Sequence, residues 1–181
     1  MTPVYLLGYM TAGKSTVGRL SAKQLNWHFV DLDEAFETMH GFSTTEYIRE
    51  YGIEAFRQKE KYVLEDIADL SPYDNVIYAT GGGYPCYEDN MDCVNELGIT
   101  VYLRWKAEDL ISRLLLTDLS TRPVLQGRTR DELLECVTAQ LDARTPYYEK
   151  AQLIIDAPGF VPDADQLIAN QLCQLLKSKM K

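Results

Sequence analysis

The segment from Gly8 to Ser15 fits the pattern G-x-x-x-x-G-K-[ST], and it constrains the fold more than any other part of the sequence. An apolar run typical of a β-strand precedes it, and a helical pattern from Lys14 to Leu25 follows it. In that setting glycines let backbone N–H groups turn towards phosphate oxygens, and the helix N-terminus adds the positive end of its dipole. The pattern therefore predicts a nucleotide phosphate site, in which Lys14 reaches the β- and γ-phosphates and the Ser15 hydroxyl ligates Mg²⁺.

Five short apolar runs alternate with helical patterns along the rest of the chain. Such alternation predicts a parallel sheet with helices on both faces, and continuous apolar runs are typical of strands buried on both sides. We therefore expect an α/β chain with a three-layer P-loop NTPase fold, in one domain spanning 1–181, with a mobile lid at about 117–128. The predicted strands are 4–7, 29–32, 76–79, 101–103 and 153–155, and the predicted helices include 14–25, 53–70 and 129–143, with capping-box spacing at Ser43 and Glu46 and at Thr129 and Glu132.

An acidic pair and a glycine run follow predicted strands, at the sheet edge where parallel α/β proteins bind ligands. Asp31 and Asp33 are two residues apart at a strand end, so we expect their side chains to point the same way. Asp31 suits a magnesium-bound water and Asp33 suits a substrate hydroxyl, whereas a solvated pair or a helix N-cap is the alternative interpretation. Without Cβ atoms, Gly81, Gly82 and Gly83 would let the backbone meet a ligand directly, although a flexible turn has the same composition.

Four arginines are candidates for binding anions. Arg57 and Arg144 could recognise a planar carboxylate through paired donors, although arginines in such places are more often surface charges. Arg122 lies in a turn-rich stretch between two predicted helices, which indicates a lid that brings a cation to the transferring phosphate. Arg113 could stack on a base, and a solvated helix face is an equal alternative. We expect Trp105 and most tyrosines to belong to the core or the surface.

The net charge and the cysteines limit the classes of binding partner and the cellular compartment that we expect. The net charge of −9 repels nucleic acid and anionic membranes, so we expect neither as a partner, while 18 Lys and Arg are enough for one basic pocket. The four cysteines form no C-x-x-C pair, and no long apolar run or charged leader is present, so we expect a cytoplasmic protein. We also expect a monomer. Neither His28 nor His40 has a partner at ligand spacing, so we expect no histidine-built metal site.

The position of the D-x-D pair narrows the class of nucleotide-binding protein. A GTPase would carry a guanine-reading N-K-x-D together with a D-x-x-G switch, and no N-K-x-D is found. A mechanical ATPase would carry four apolar residues ending in Asp, whereas 29–33 is the nearest candidate and comes directly after the first helix. A second strand ending in D-x-D favours a kinase that phosphorylates a hydroxyl of a small anionic metabolite with ATP and Mg²⁺.

The ordered set of motifs resembles the shikimate kinase family over nearly the whole chain, from Gly8 to about Asp156. The phosphate loop alone is shared by very many proteins, and it is the full set at these spacings that is specific. The matching segments are Gly13-Lys14-Ser15-Thr16, Asp31-Leu32-Asp33, Phe56-Arg57, Gly81-Gly82-Gly83, Arg122-Pro123 and Arg144-x-Pro-x-Tyr.

The resemblance implies transfer of the γ-phosphate of ATP to the 3-hydroxyl of shikimate, in aromatic amino-acid biosynthesis. It implies catalytic roles for Lys14, Asp33 and Arg122, and metal binding by Ser15 with Asp31. By resemblance, ATP would contact Thr11, Ala12, Gly13, Lys14, Ser15, Thr16, Arg113 and Arg122, and shikimate would contact Asp33, Arg57, Gly81, Gly82, Gly83 and Arg144.

Two other interpretations stay open at this point. A gluconate-kinase-like or adenylate-kinase-like enzyme has the same fold but does not need the four predicted shikimate contacts together. A non-catalytic nucleotide-binding module is the other, although it has little use for a proton acceptor and a lid arginine. The chain also departs from the family, because Thr11 stands where the family more often has glycine; since both motif glycines remain, we expect phosphate binding to survive.

Overall fold

The computed structural model describes residues 2–70, 75–117 and 128–179. Within them, strands alternate with helices from the first strand to the last helix. The strands are β1 (Val4–Leu7), β2 (His28–Asp31), β3 (Val76–Ala79), β4 (Ile99–Arg104) and β5 (Leu153–Asp156). The helices are α1 (Lys14–Leu25), α2 (Leu32–His40), α3 (Thr44–Leu70), α4 (Asn90–Leu97), α5 (Ala107–Leu114), α6 (Arg130–Tyr148) and α7 (Ala164–Lys179), with a short 3₁₀ helix at Tyr84–Cys86.

All five strands form one parallel sheet in the order β2-β3-β1-β4-β5. This confirms the predicted fold class. The first strand is central, since Val4 is opposite Ile77 of β3 on one side and Ile99 of β4 on the other. The loop that follows β1 therefore leaves the sheet in the middle of its carboxyl edge, which is where a topological switch places ligands.

Helices cover both faces of the sheet, and this is why the inner strands β1 and β3 are apolar and buried along their whole length. Leu6 and Ile77 face a large core that also contains Leu172 of α7. Tyr5, Leu7 and Tyr78 face a second core, on the other side of the sheet, which contains Leu64 of α3. Each fully buried aliphatic side chain contributes about 1.5–3 kcal/mol, so both layers anchor the strand ends that carry the functional residues.

The boundaries of β2 and α6 differ from those predicted. The strand that was predicted to end at Leu32 ends at Asp31, because the Asp31 carboxylate accepts a hydrogen bond from the backbone N–H of Asp33 (3.0 Å) and caps α2. Helix α6 continues past its predicted end to Tyr148, through Pro146. The hydrogen bond that this proline lacks falls in the last turn, where burial of Tyr148 compensates.

Both predicted capping boxes are present. Thr129 and Glu132 exchange hydrogen bonds at the start of α6, as the spacing predicts. Ser43 and Glu46 do the same before α3. The predicted helix 53–70 is the second part of α3, which is continuous with the segment that starts after Ser43 except at Gly52, where φ is 85°. No helix in the described ranges is both long enough and apolar enough to cross a lipid bilayer.

Candidate active site

A cleft of about 970 Å³ opens at the carboxyl edge of the sheet. The loop after β1 forms its floor, and residues from β2, α2, α5 and the start of α7 form its walls. Most of the predicted nucleotide and metal residues line this cleft, namely Thr11, Gly13, Lys14, Ser15, Thr16, Asp31 and Arg113. Two of the predicted shikimate contacts, Asp33 and Gly82, line it as well.

The loop from Gly8 to Ser15 has the backbone shape that its pattern predicts. Gly13 has a φ of 85° and Thr11 has a φ of 63°, both in the left-handed region. The threonine therefore adopts, at some cost, a conformation that glycine adopts freely. The Lys14 ammonium donates to the carbonyls of Gly8 (2.8 Å) and Tyr9 (3.0 Å), so it lies across the mouth of the loop.

Other parts of the chain hold this loop from behind. Ala12 is buried, and its carbonyl accepts a hydrogen bond from the indole N–H of Trp105 (3.0 Å). The Thr11 carbonyl accepts one from Nε of Arg113 (2.6 Å). Ala12, a predicted ATP contact, therefore does not line the cleft, and its side chain belongs to the core.

The predicted metal ligands lie together. The Ser15 hydroxyl donates to a carboxylate oxygen of Asp31 over 2.5 Å. These hard oxygen donors suit Mg²⁺, which is usually held by one or two protein oxygens together with substrate phosphates and water. The described residues contain no cluster of three or more His, Cys, Asp or Glu that could hold a metal. Ser15 and Asp31 are donors that fit a magnesium ion held jointly with the phosphates of a nucleotide.

Asp33 lies in the first turn of α2, between the loop and a pair of charged residues on α3. Partial desolvation in the cleft and the neighbouring Asp31 carboxylate raise the pKa of Asp33, while the positive charges of Lys14 and Arg57 act against that rise. The two acidic side chains reach one site because Asp31 caps a helix and Asp33 lies in its first turn. The predicted alternation along a strand was the wrong reason for their proximity.

Arg57 forms an ion pair with Glu60, one turn along α3, and Glu60 is almost completely buried. One Glu60 carboxylate oxygen has no hydrogen-bond partner among the described residues. Burial raises the pKa of Glu60 to about 7, against the opposing effect of the Arg57 charge. The sequence interpretation did not single out Glu60, although its i,i+3 spacing from Arg57 is a recognisable signal.

The glycine run makes room for this ion pair. A Cβ on Gly81 would overlap the Glu60 carboxylate, and a Cβ on Gly83 would overlap the Arg57 guanidinium. Gly82 instead packs against the loop after β1, and its carbonyl accepts a hydrogen bond from the hydroxyl of Tyr148. Direct contact between this run and a ligand stays a prediction.

Arg144 lies within α6, one turn before its end, and not at the helix end as predicted. Its guanidinium carbon is 5.3 Å from the centroid of the Tyr9 ring. The charges of Arg144 and Arg57 both lower the pKa of the Cys86 thiol, which burial raises. The two arginines therefore converge on the same side of the site. Most tyrosines were expected to belong to the core or the surface; Tyr9 is buried, and its ring also contacts one of these arginines.

Arg113 is held firmly at the opposite end of the cleft. Its guanidinium stacks 4.6 Å from the ring of Trp105 and forms an ion pair with Asp165 at the start of α7 (2.9 Å). Trp105 and Asp165 were not predicted to adjoin the site. The remaining predicted residue, Arg122, lies outside the described residues.

A phosphate loop, an acidic pair and two convergent arginines define a P-loop kinase whose acceptor is a small anion. The family model for shikimate kinase matches residues 10–177. A shikimate kinase from Parabacteroides distasonis is 40% identical over 177 residues, which cover 97% of this chain and 100% of the relative.

Two solved structures of shikimate kinases are also similar to this chain. A shikimate kinase from Bacteroides thetaiotaomicron is 35% identical and superposes with a TM-score of 0.87, covering 97% of this chain and 98% of that chain. One from Acinetobacter baumannii, solved in complex with shikimate, is 30% identical with a TM-score of 0.83, covering 100% and 96%. The chain belongs to the shikimate kinase family, and it is therefore an ATP- and Mg²⁺-dependent kinase.

Proposed function

We propose that this enzyme transfers the γ-phosphate of ATP to the 3-hydroxyl of shikimate, giving shikimate 3-phosphate and ADP, on the route to aromatic amino acids. The observation that carries the proposal is the position of Asp33 in the cleft. Its carboxylate is influenced by Lys14 on the phosphate side and by Arg57 on the other side. It therefore lies at the junction where a donor phosphate and an acceptor hydroxyl would meet.

On the donor side, backbone N–H groups of the loop and the N-terminus of α1 would bind the phosphates, including contacts from Thr11, Ala12, Gly13 and Thr16. Lys14 would leave its two carbonyl partners for the β- and γ-phosphates. Magnesium, when bound beside Ser15 and Asp31, neutralises charge on those phosphates. Because phosphoryl transfer needs positioning and charge stabilisation above all, this side would supply most of the rate enhancement.

On the acceptor side, Asp33 would accept a hydrogen bond from the 3-hydroxyl and hold it in line with the γ-phosphate. Partial desolvation and the Asp31 charge raise the pKa of the Asp33 carboxyl, which makes it a stronger proton acceptor than an aspartate with the ordinary pKa. Arg57 and Arg144 would bind the shikimate carboxylate, since planar guanidinium groups suit planar anions. The backbone of Gly81, Gly82 and Gly83 would complete this side.

Arg122 would provide a further cation for the transferring phosphate, from a lid at about 117–128 that belongs to the same single domain. This part of the proposal rests on the sequence, because the segment lies outside the described residues. Arg113 would stack on the adenine base. The stacking of Arg113 on Trp105 supports this role, because it fixes the guanidinium plane at the edge of the cleft.

We also propose that the enzyme acts as a cytoplasmic monomer without nucleic-acid or membrane partners. The net charge of −9 supports the absence of such partners, because both carry negative charge. Size-exclusion chromatography with light scattering tests the monomer, and an assembly of twice the chain mass would contradict it.

An ADP-release assay with shikimate, quinate, gluconate and AMP in parallel tests the reaction. We expect turnover with shikimate far above that with gluconate or AMP, since only shikimate and quinate present a ring carboxylate to the arginines. Comparable turnover with gluconate or AMP would favour another kinase of this fold. Nucleotide binding without turnover on any acceptor would favour a non-catalytic module.

The variant Asp33→Asn tests the proposed chemistry. It keeps the size of the side chain and loses its charge, so we expect kcat with shikimate to fall by about 10²-fold or more, while ATP affinity changes little. A wild-type kcat would show that Asp33 has only a structural role.

A further inference from the structure

Tyr9, the second residue of the phosphate loop, directs its side chain out of the loop and into the protein. It is 2% exposed. Its hydroxyl donates a hydrogen bond to the side-chain oxygen of Gln140 on α6 (2.7 Å). A loop residue is thus tied to a helix that is distant in sequence and that carries one of the two arginines.

The same ring also contacts that arginine. Gln140 and Arg144 are four residues apart, so they lie on one face of α6. The Arg144 guanidinium carbon is 5.3 Å from the centroid of the Tyr9 ring, within the range of a cation–π interaction. Tyr9 therefore holds α6 at two points, through its hydroxyl and through its ring face.

The backbone of Tyr9 belongs to the donor side. Its carbonyl accepts a hydrogen bond from Lys14 (3.0 Å). Gly82 packs against the backbone between Gly8 and Met10, and the hydroxyl of Tyr148, also on α6, donates to the Gly82 carbonyl. One residue thus connects the phosphate loop directly to Arg144, and a second contact between loop and helix runs beside it.

We propose that Tyr9 is a positioning residue, which orients Arg144 towards the acceptor carboxylate and fixes α6 against the phosphate loop. The inference rests on the proposed role of Arg144 in binding shikimate. Arginine carries several rotatable bonds, so stacking on a buried ring restricts it before the acceptor arrives. Tyr9 itself touches neither the reacting phosphate nor the hydroxyl in this role.

Two substitutions separate the two contacts. Tyr9→Phe keeps the ring and removes the hydrogen bond to Gln140, and we expect the KM for shikimate to rise by about 3-fold. Tyr9→Leu removes both contacts, and we expect a rise of about 10- to 30-fold. The KM for ATP should change by less than about 2-fold in both variants, because the backbone that binds phosphate is retained.

The decisive experiment repeats both substitutions in an Arg144→Ala background, with steady-state kinetics for both substrates. If Tyr9 acts through Arg144, each substitution should raise the shikimate KM by less than about 2-fold there, because no guanidinium remains to be positioned. Equal factors in the two backgrounds, or a parallel rise in the KM for ATP, would overturn the inference and assign Tyr9 a merely structural role.

The single variants in this experiment also distinguish a failure of this inference from a failure of the proposed function. If Arg144→Ala alone leaves the shikimate KM unchanged, Arg144 does not bind the acceptor, and both proposals fail at that point. If Arg144→Ala raises it and neither Tyr9 variant does, only the role of Tyr9 fails. Thermal unfolding shows whether Tyr9→Leu is folded; should it not be, the smaller change, Tyr9→Phe, decides the question through the same cycle.

Discussion

Glu60 makes the stability of the protein depend on pH in a direction that can be worked out from the structure. Its carboxylate is about 1% exposed, and one oxygen has no hydrogen-bond partner among the described residues. Burial raises its pKa from 4.5 to about 7, even though the Arg57 and Lys14 charges favour ionisation. The substitution Glu60→Gln keeps the shape of this side chain and removes its titration.

The direction in which the free energy of unfolding changes with pH follows from the number of protons bound to Glu60 in the folded and unfolded states. Between pH 4.5 and about 7 the folded protein keeps a proton on Glu60 that the unfolded chain has lost, so the free energy of unfolding falls as the pH rises. Each pH unit costs about 1.4 kcal/mol, and the whole range costs about 3 kcal/mol. The glutamine variant escapes this loss, so its stability relative to wild type should increase with pH and level off above the folded pKa.

Urea unfolding of the two proteins at several values between about pH 5 and 8 measures this difference. Glu46→Gln is the control, because Glu46 is exposed and hydrogen bonds to Ser43 lower its pKa. Its stabilising effect is lost only as the pH falls through that lowered pKa, so its difference from wild type should stay flat over this range. A Glu60→Gln difference that stays flat, or shrinks as the pH rises, would refute the reasoning.

Three further substitutions test the two sides of the cleft. Lys14→Ala should reduce kcat by about 10²-fold or more with little change in the melting temperature, and near-normal turnover in a folded protein would contradict its role. Arg57→Ala should weaken shikimate binding by about 2–5 kcal/mol, because a desolvated carboxylate loses its partner, whereas a change confined to the KM for ATP would contradict the assignment. Gly83→Ala should raise the KM for shikimate by about 10-fold or more, since its Cβ would displace the Arg57 guanidinium while the φ of −99° suits alanine; an unchanged KM would show that the guanidinium can move without loss.

The sequence predicted those features that depend on local pattern. The phosphate loop, both capping boxes and the five parallel strands are encoded in short segments, where periodicity and turn chemistry decide the outcome. The end of β2 was misplaced because an aspartate suits both a strand end and a helix cap, and the hydrogen bond from Asp31 to Asp33 favours the cap. Helix α2 was considered only as the alternative in which the acidic pair caps a helix, and helix α4 was not predicted.

Contacts over long separations could not be predicted from one sequence. Tyr9 and Gln140 are 131 positions apart, and Arg113 and Asp165 are 52 apart. No periodic pattern links such residues, and their proximity depends on how the helices pack on the sheet. The structural reason for glycine at position 81 could not be predicted either, because it depends on the side chain of Glu60, which lies on α3.

The central position of β1 also bears on how the chain acquires its fold during synthesis. β1 and β2 come first, but they are not neighbours, because β3 lies between them and pairs with both. Val4 of β1 pairs with Ile77, which lies 73 residues later in the chain, and with Ile99, which lies 95 residues later. Such non-local pairing slows folding and leaves strand edges open to other chains. A chain that ends before β3 therefore has two strands that are not neighbours in the final sheet, and the strand that separates them is missing. We expect such partial chains to expose unpaired strand edges and to aggregate more readily than the full chain.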